Sequence, residues 1–393
     1  MLDFQYYSPT RVVFGRNAVK ELGNLLKAQD RKKVLLHYGG GSVKKNGVFD
    51  AVVEQLKSAE IDYVELGGVA PNPKIDLIRE GVKLCKTQGV DFILAVGGGS
   101  VIDSAKAIAL GAKIDFDVWR LYETKERIEG ALPVGSVLTI AAAGSELSDG
   151  TVVTNPEGGL KRDYGADYLR PVFAVMNPEY TFTVSKYQTA CGTVDILMHT
   201  FERYFTHTPD VDLTDELAEA LLRVVLEYGP AAVRDAHDET AMSEIMWAGS
   251  LSHNGLTGLG GRKDFATHQL GHALSEKFDV YHGDSLTAVW SSWARSVMDE
   301  SPARFARFAR NVWHVEEADD TAAALAGIAK QEAFFQSIGM PVRLGELSCG
   351  RQDEAGLADL ASRCSYGKTR TIGTFRVLDY ESILAIYRRA NEA

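Results

Sequence analysis

Carboxylate and imidazole side chains with the spacing of a metal site occur in the second half of this 393-residue chain. Asp195 and His199 are four residues apart in an otherwise apolar, helical-looking segment, and His268 and His272 repeat this spacing. Residues four apart share one face of a helix. His282 follows shortly afterwards, and carboxylate and imidazole ligands suit iron(II) or zinc. The pattern predicts a metal site built from these residues.

Spacing alone leaves the ligand set open. Asp195, His199 and two more histidines would close a tetrahedral site, and His268, His272 and His282 are all candidates for those two places. The ordinary alternative is that each histidine is a hydrogen-bonded core residue. Two compact clusters of potential ligands favour the metal interpretation.

A glycine-rich turn in the first half of the chain has the form of a phosphate-binding loop. Gly97, Gly98, Gly99 and Ser100 follow the apolar strand predicted at 92–96 and open a helix predicted at 101–109. Glycines let backbone N–H groups approach a phosphate, and a helix N-terminus supplies unpaired donors and partial positive charge. The alternative is a tight turn with Ser100 as the N-cap.

A second glycine run bears on the choice of cofactor. Gly39, Gly40, Gly41 and Ser42 follow the strand predicted at 33–36, where a dinucleotide enzyme that selects NAD carries an acidic residue for the ribose 2′-hydroxyl. No acidic residue stands there. Ser42 and the lysines after it could bind a 2′-phosphate, so NADP(H) is predicted over NAD(H). The alternative is a flexible loop.

The elements that position these residues change character along the chain. In the first half, short β-branched runs alternate with helical segments, which predicts a parallel α/β sheet covered by helices. From about residue 183, apolar residues recur at helical spacing. We therefore predict a Rossmann-like dinucleotide-binding domain over 1–182 and an all-helical metal-binding domain over 183–393.

Composition excludes several classes of function. The formal net charge of −11 and the pI near 5.4 give no basic surface for nucleic acid. No segment approaches the roughly 18 apolar residues of a membrane span, and no targeting sequence is recognised, so a cytoplasmic protein is expected. The four cysteines form no CxxC pair and are expected to be free thiols.

These motifs, taken together and in order, resemble a known family. The sequence resembles the iron-containing, or group III, alcohol dehydrogenases, and within them the NADP-dependent butanol dehydrogenase and aldehyde reductase branch. The resemblance covers almost the whole chain. Besides the motifs above, it rests on Phe14-Gly15, Pro71-Asn72-Pro73, Gly144-Ser145-Glu146, Asn177-Pro178 and His282-Gly283.

The resemblance implies a role for each candidate residue. The metal ligands would be Asp195, His199, His268 and His282, with His272 beside the nicotinamide and substrate as a catalytic proton carrier. The implied cofactor residues are Gly39, Gly40, Gly41, Ser42, Asn72, Gly98, Gly99, Ser100, Asp103, Thr139 and Lys161. It further implies hydride transfer between the nicotinamide and a small aldehyde or primary alcohol, in a homodimer.

One departure from the family pattern and one rival function accompany this interpretation. Ala143 stands where the family usually has threonine, so a hydroxyl contact to the cofactor is expected to be lost. The rival is a metal- and nicotinamide-dependent lyase of the dehydroquinate synthase type. That reaction needs a basic site for a phosphorylated substrate, for which only Arg262-Lys263 is an obvious candidate near the histidines.

Overall fold

The computed structural model describes residues 1–392, which fold into two compact units. The sheet unit comprises residues 7–184 and 236–250, and the helical unit comprises 1–6, 185–235 and 251–392. The predicted boundary near residue 182 did not include this return of 236–250 to the sheet unit. Polar contacts explain the return: Glu239 pairs with Arg16, and the Ser250 hydroxyl donates to Glu146 at 2.5 Å.

The sheet unit is built on a six-stranded parallel sheet with the order β1-β8-β5-β4-β2-β3. A separate antiparallel pair, β6 and β7, completes its strands. The strands are β1 (Arg11–Phe14), β2 (Lys33–Gly39), β3 (Asp62–Val69), β4 (Phe92–Gly97), β5 (Val134–Leu138), β6 (Gly150–Asn155), β7 (Leu160–Gly165) and β8 (Phe173–Met176). The helices are α1 (Leu22–Lys27), α2 (Ser42–Lys45), α3 (Val48–Ser58), α4 (Ile75–Gln88), α5 (Gly99–Gly111) and α6 (Trp119–Thr124).

The predicted fold class is confirmed. The strands predicted at 33–36 and 92–96 correspond to β2 and β4, and the β-branched runs at 63–66 and 172–175 lie at β3 and β8. Strand β4 is buried along its whole length, as a central parallel strand must be. Strands β1 and β5 and the β6–β7 pair were not predicted from the sequence. The pattern of β5 is interrupted by Gly135 and Ser136, which have low strand propensity but fit a closely packed central position.

The helical unit matches the prediction for the second half of the chain. Helix α9 (Glu239–His253) runs from one unit into the other. The other helices are α7 (Lys186–Tyr204), α8 (Asp212–Arg234), α10 (Ala266–Phe278), α11 (His282–Val297), α12 (Pro302–Trp313), α13 (Asp320–Ser337), α14 (Glu354–Cys364) and α15 (Tyr380–Asn391). Within residues 1–392, no helix is long and apolar enough to cross a membrane.

A buried histidine in β2 predicts an acid-sensitive sheet. Nδ1 of His37 donates to the Leu66 carbonyl at 2.8 Å, and Nε2 accepts from the Ser104 hydroxyl at 2.8 Å, an arrangement that requires a neutral ring. Burial lowers the pKa of His37 to about 4, although the carbonyl favours the charged form. In the unfolded chain the pKa lies near 6.5.

Because the unfolded state takes up this proton first, the free energy of unfolding should fall as the pH drops from 6.5 to 4. The loss from this residue alone should reach about 3 kcal/mol. Urea unfolding of the wild type and His37→Gln at several pH values within this range tests it. The stability advantage of the wild type should shrink on acidification; a constant difference would contradict the prediction.

Candidate metal centre and dinucleotide-binding residues

Helix α7 carries the first two candidate ligands on one face. It begins after Ser185, whose hydroxyl accepts from the Gln188 N–H, and it is buried almost continuously from Thr189 to its end. Asp195 and His199 are one turn apart and are each 5% exposed. A carboxylate and an imidazole buried at this depth require polar partners, because burial without them is costly.

Helices α10 and α11 bring the other candidates to α7. His268 lies in the first turn of α10, and His282 is the first residue of α11. The approach of α11 depends on Gly283, where a Cβ would lie only 2.7 Å from the Cα of Cys191 on α7. A larger residue at this position would push α11, and His282 with it, away from Asp195.

The side chains converge on the carboxylate of Asp195. Its Oδ1 lies 3.8 Å from Nε2 of His268 and 3.6 Å from Nε2 of His282, and the candidate ligand atoms of these three residues lie within 4.8 Å of one another. His199 stands outside this mutually close set. Its Nδ1 is 3.6 Å from the same oxygen, and its ring stacks on His268 with centroids 4.7 Å apart.

The hydrogen bonding of this cluster fits a bound cation. Oδ1 of Asp195, Nδ1 of His199 and Nε2 of His268 are buried and have no hydrogen-bond partner among residues 1–392, although buried polar atoms are normally paired. Burial, reinforced by the neighbouring histidines and by Arg203, lowers the pKa of His199 well below its usual value. Its ring is therefore neutral, the form that binds metal, and one carboxylate with imidazoles suits iron(II) or zinc.

His272, the predicted catalytic residue, belongs to the same cluster. It lies one turn after His268 on α10, and its ring centroid is 5.6 Å from that of His282 and 6.3 Å from that of His268. Unlike His199 and His268, it is only partly buried. Part of this residue therefore remains exposed beside the candidate ligands.

The glycine turn after β4 has both a packing role and the form expected for phosphate binding. Helix α5 begins at Gly99 with an extended Gly98 as its N-cap, so the alternative with Ser100 as N-cap is wrong. A Cβ on Gly98 would lie 2.1 Å from Ile140, and one on Gly99 would lie 3.1 Å from Ala143. The turn therefore requires glycine for close packing as well as for an open helix N-terminus.

Two other predicted cofactor residues meet directly. Nζ of Lys161, on β7, donates to Oδ1 of Asn72 at 2.9 Å, and Lys161 is buried rather than a solvated loop residue. Thr139 follows β5, and its N–H donates to the Gly97 carbonyl at 3.1 Å. These contacts place Thr139 beside the glycine turn and pair Asn72 with a cation.

The carboxylate of Asp103 is already hydrogen-bonded within the protein. Its carboxylate accepts from the Ser145 hydroxyl at 2.5 Å and from the Val152 N–H at 3.0 Å. Burial raises the pKa of this carboxyl, while Lys106 and these hydrogen bonds oppose the rise. The arrangement ties α5 to β6, and any contact with a cofactor would add to this internal role.

The second glycine run has an acidic neighbour on another strand, which was not predicted from the sequence. Gly41 has a φ of 111°, in the left-handed region, and α2 begins at Ser42. Glu65, on the neighbouring β3, accepts from the Tyr38 hydroxyl at 2.9 Å and from Nζ of Lys44 at 3.1 Å. The residues that directly follow β2 include no acidic group, whereas the sheet brings this carboxylate from β3. Lys44 therefore has an anionic partner already.

Comparisons with known proteins agree with this architecture. Residues 9–178 match the family described as iron-containing alcohol dehydrogenase, and residues 189–391 match the C-terminal part of the Fe-containing alcohol dehydrogenase family. The chain belongs to the iron-containing alcohol dehydrogenase family. It is thus an oxidoreductase of the class that uses a nicotinamide cofactor, and the lyase alternative is not favoured.

The names of similar proteins specify two different cofactors, NADH and NADPH. Probable NADH-dependent butanol dehydrogenase 1 of Bacillus subtilis is 41% identical over 99% of both chains. The NADPH-dependent aldehyde reductase YqhD of Escherichia coli is 38% identical over 88% of this chain and 89% of its own. The crystal structure of NADH-dependent butanol dehydrogenase A from Thermotoga maritima matches with a TM-score of 0.96 at 34% identity, covering 100% of this chain and 99% of that one.

Proposed function

We propose that the chain interconverts small aldehydes and primary alcohols with NAD(P)(H) and a divalent metal, iron(II) or zinc, held by Asp195, His199, His268 and His282. The observation that carries this proposal is the group of buried, hydrogen-bond-deficient ligand atoms around Asp195. It is supported by relatives named as butanol dehydrogenases and an aldehyde reductase.

The ligands, His272 and the cofactor-binding residues would each have a separate role in the reaction. A metal held by these four residues would supply a Lewis acid toward the carbonyl or alcohol oxygen of the substrate. Asp195 balances positive charge, while the neutral ring of His199 can act as a donor. His272, partly exposed beside the ligands, would hold and pass the proton that the substrate oxygen gains or loses. The glycine turn at 97–99, with Thr139, Asn72 and Lys161, would orient the nicotinamide cofactor, which supplies the hydride.

For the cofactor, NADP(H) remains the proposed preference. Ser42 and Lys45 would bind the 2′-phosphate, because the Nζ of Lys44 already donates to Glu65. A 2′-phosphate would also have to lie near the Glu65 carboxylate, which opposes NADP(H) and favours a ribose hydroxyl. Glu65→Gln should therefore raise the ratio of kcat/KM for NADPH over NADH relative to the wild type. An unchanged ratio would show that Glu65 does not influence the choice of cofactor.

The decisive assay compares metal-free protein with protein reloaded with iron(II) or zinc. The loss of reduced cofactor absorbance with butanal should depend on the metal and be faster with NADPH than with NADH. Faster turnover with NADH would overturn only the cofactor preference. No turnover with several aldehydes and either cofactor, at confirmed metal occupancy, would overturn the proposed function.

We also propose that the enzyme is a cytoplasmic homodimer whose cofactor-binding residues lie within 1–182 and whose metal-binding residues lie within 183–393. The family resemblance supports the dimer and this division of the chain. Light scattering of the purified protein tests the dimer, and a single-chain mass would contradict it.

A further inference from the structure

We propose that Glu202 is a positioning residue that holds one proton on His268 and thereby sets the affinity of the centre for its metal. This inference rests on the proposed metal centre. Oε1 of Glu202 accepts two hydrogen bonds from the same residue, one from the His268 backbone N–H and one from its ring Nδ1, both at 2.8 Å.

These contacts fix which ring nitrogen can bind a metal. With the proton on Nδ1 and directed at Glu202, Nε2 of His268 is left with a lone pair. Nε2 is the atom that faces Asp195 Oδ1, at 3.8 Å, and in the described part of the chain it has no hydrogen-bond partner. The carboxylate also increases the electron density of the ring, which strengthens it as a donor.

Glu202 is itself held by its place in the fold. It lies on α7, one turn after His199 and two turns after Asp195, so one helix face carries two proposed ligands and the orienting carboxylate. Its side chain is 2% exposed, and its backbone carbonyl accepts from the Asp264 N–H at 2.7 Å. A buried side chain on a packed helix can fix the His268 ring precisely.

The same contact supports the start of α10. Phe265, its N-cap, has a φ of 59°, an unfavourable conformation for an aromatic residue, and the first N–H groups of a helix have no partner within the helix. The His268 N–H is one of these, and a carboxylate near a helix N-terminus is also stabilised by the helix dipole. Glu202 thus places the ligand backbone as well as its ring.

A helix-stabilising role alone would predict lower stability without a specific change in metal binding. The experiment therefore has to distinguish a loss of stability from a specific loss of metal binding. Glu202→Gln keeps the shape and an acceptor oxygen but removes the charge, whereas Glu202→Met removes both. Glu219→Gln is the matched control, because Glu219 is also buried and accepts from the Tyr204 hydroxyl at 2.8 Å, but on helix α8.

The measurements are zinc affinity by competition with a chromophoric chelator, the visible absorption spectrum of the cobalt(II)-loaded protein, and thermal stability. Zinc affinity should fall about 10- to 100-fold in Glu202→Met and by a smaller factor, near tenfold, in Glu202→Gln. The cobalt spectrum should change in both variants. Glu219→Gln should keep the affinity and spectrum of the wild type, whatever its thermal stability.

Two outcomes separate this inference from the metal centre on which it rests. If His268→Ala loses zinc while Glu202→Gln stays within about twofold of the wild type with an unchanged cobalt spectrum, the positioning role is overturned and the metal centre stands. If the wild type binds no zinc or cobalt that depends on His268, the metal centre itself fails. The Glu202→Gln variant tests the positioning role even if Glu202→Met does not fold.

Discussion

Asp195→Ala should eliminate stoichiometric metal binding and lower kcat/KM for aldehyde reduction by about 1,000-fold or more. Asp195 is the only carboxylate among the proposed ligands, and its Oδ1 lies within 4 Å of a ring nitrogen of each of His199, His268 and His282. Without it, imidazoles would face a dication with no compensating charge. Loss of a Lewis acid worth several kcal/mol corresponds to a rate loss of about three orders of magnitude.

Metal content by elemental analysis and steady-state kinetics with butanal check this result on the same preparations. Asp195→Asn separates charge from shape, and should also lose most of the metal because an amide oxygen is a weaker ligand. His237→Ala is the control, since His237 packs against Phe182 in the sheet unit. An Asp195→Ala protein that retains one metal per chain and near-normal kcat/KM would refute the proposed ligand set.

The residues that could be predicted from the sequence are those that differ clearly in type from the residues around them. Asp195 and His199 stand out because polar residues interrupt an apolar helix, and the glycine turn stands out because it follows a fully apolar strand. Fold class follows from the same periodicities. The ligand roles came from the family resemblance, because spacing does not distinguish His268, His272 and His282.

The residues that were missed depend on long-range contacts. Glu202 looks like an ordinary helix charge beside Arg203, and only the packing of α10 on α7 joins it to a histidine 66 positions away. Glu65 reaches the second glycine run through the register of β2 with β3. Similarly, nothing local marks residues 236–250 as part of the sheet unit, because the Glu239 and Ser250 contacts that place them there are with the N-terminal half of the chain.

A buried lysine organises the segment between β5 and β6. Lys106, on α5, is fully buried, and its Nζ donates to the carbonyls of Ser145 at 2.7 Å, Ser148 at 2.9 Å and Gly150 at 2.8 Å. Burial lowers the pKa of this amine to about 8, so it is charged at neutral pH. Because the Ser145 hydroxyl donates to Asp103, the same network continues toward the glycine turn.

Lys106→Met should therefore lower the free energy of unfolding by about 3–5 kcal/mol, since it leaves three carbonyls, two of them buried, without their donor. It should also raise the KM for the reduced cofactor more than it lowers kcat, because the affected segment lies next to the proposed cofactor turn rather than among the metal ligands. Urea unfolding and cofactor kinetics at neutral pH measure both effects, with metal content as a check that the centre is intact.

Lys113→Met, at an exposed position just beyond the end of α5, is the matched control and should change stability by no more than about 0.5 kcal/mol. The comparison separates the loss of a buried ammonium from the loss of a positive charge near the same helix. If Lys106→Met were as stable as Lys113→Met, the carbonyls of residues 145–150 would have to find other donors. The segment would then be ordered by its own backbone and by Asp103, and Lys106 would have no part in shaping the cofactor site.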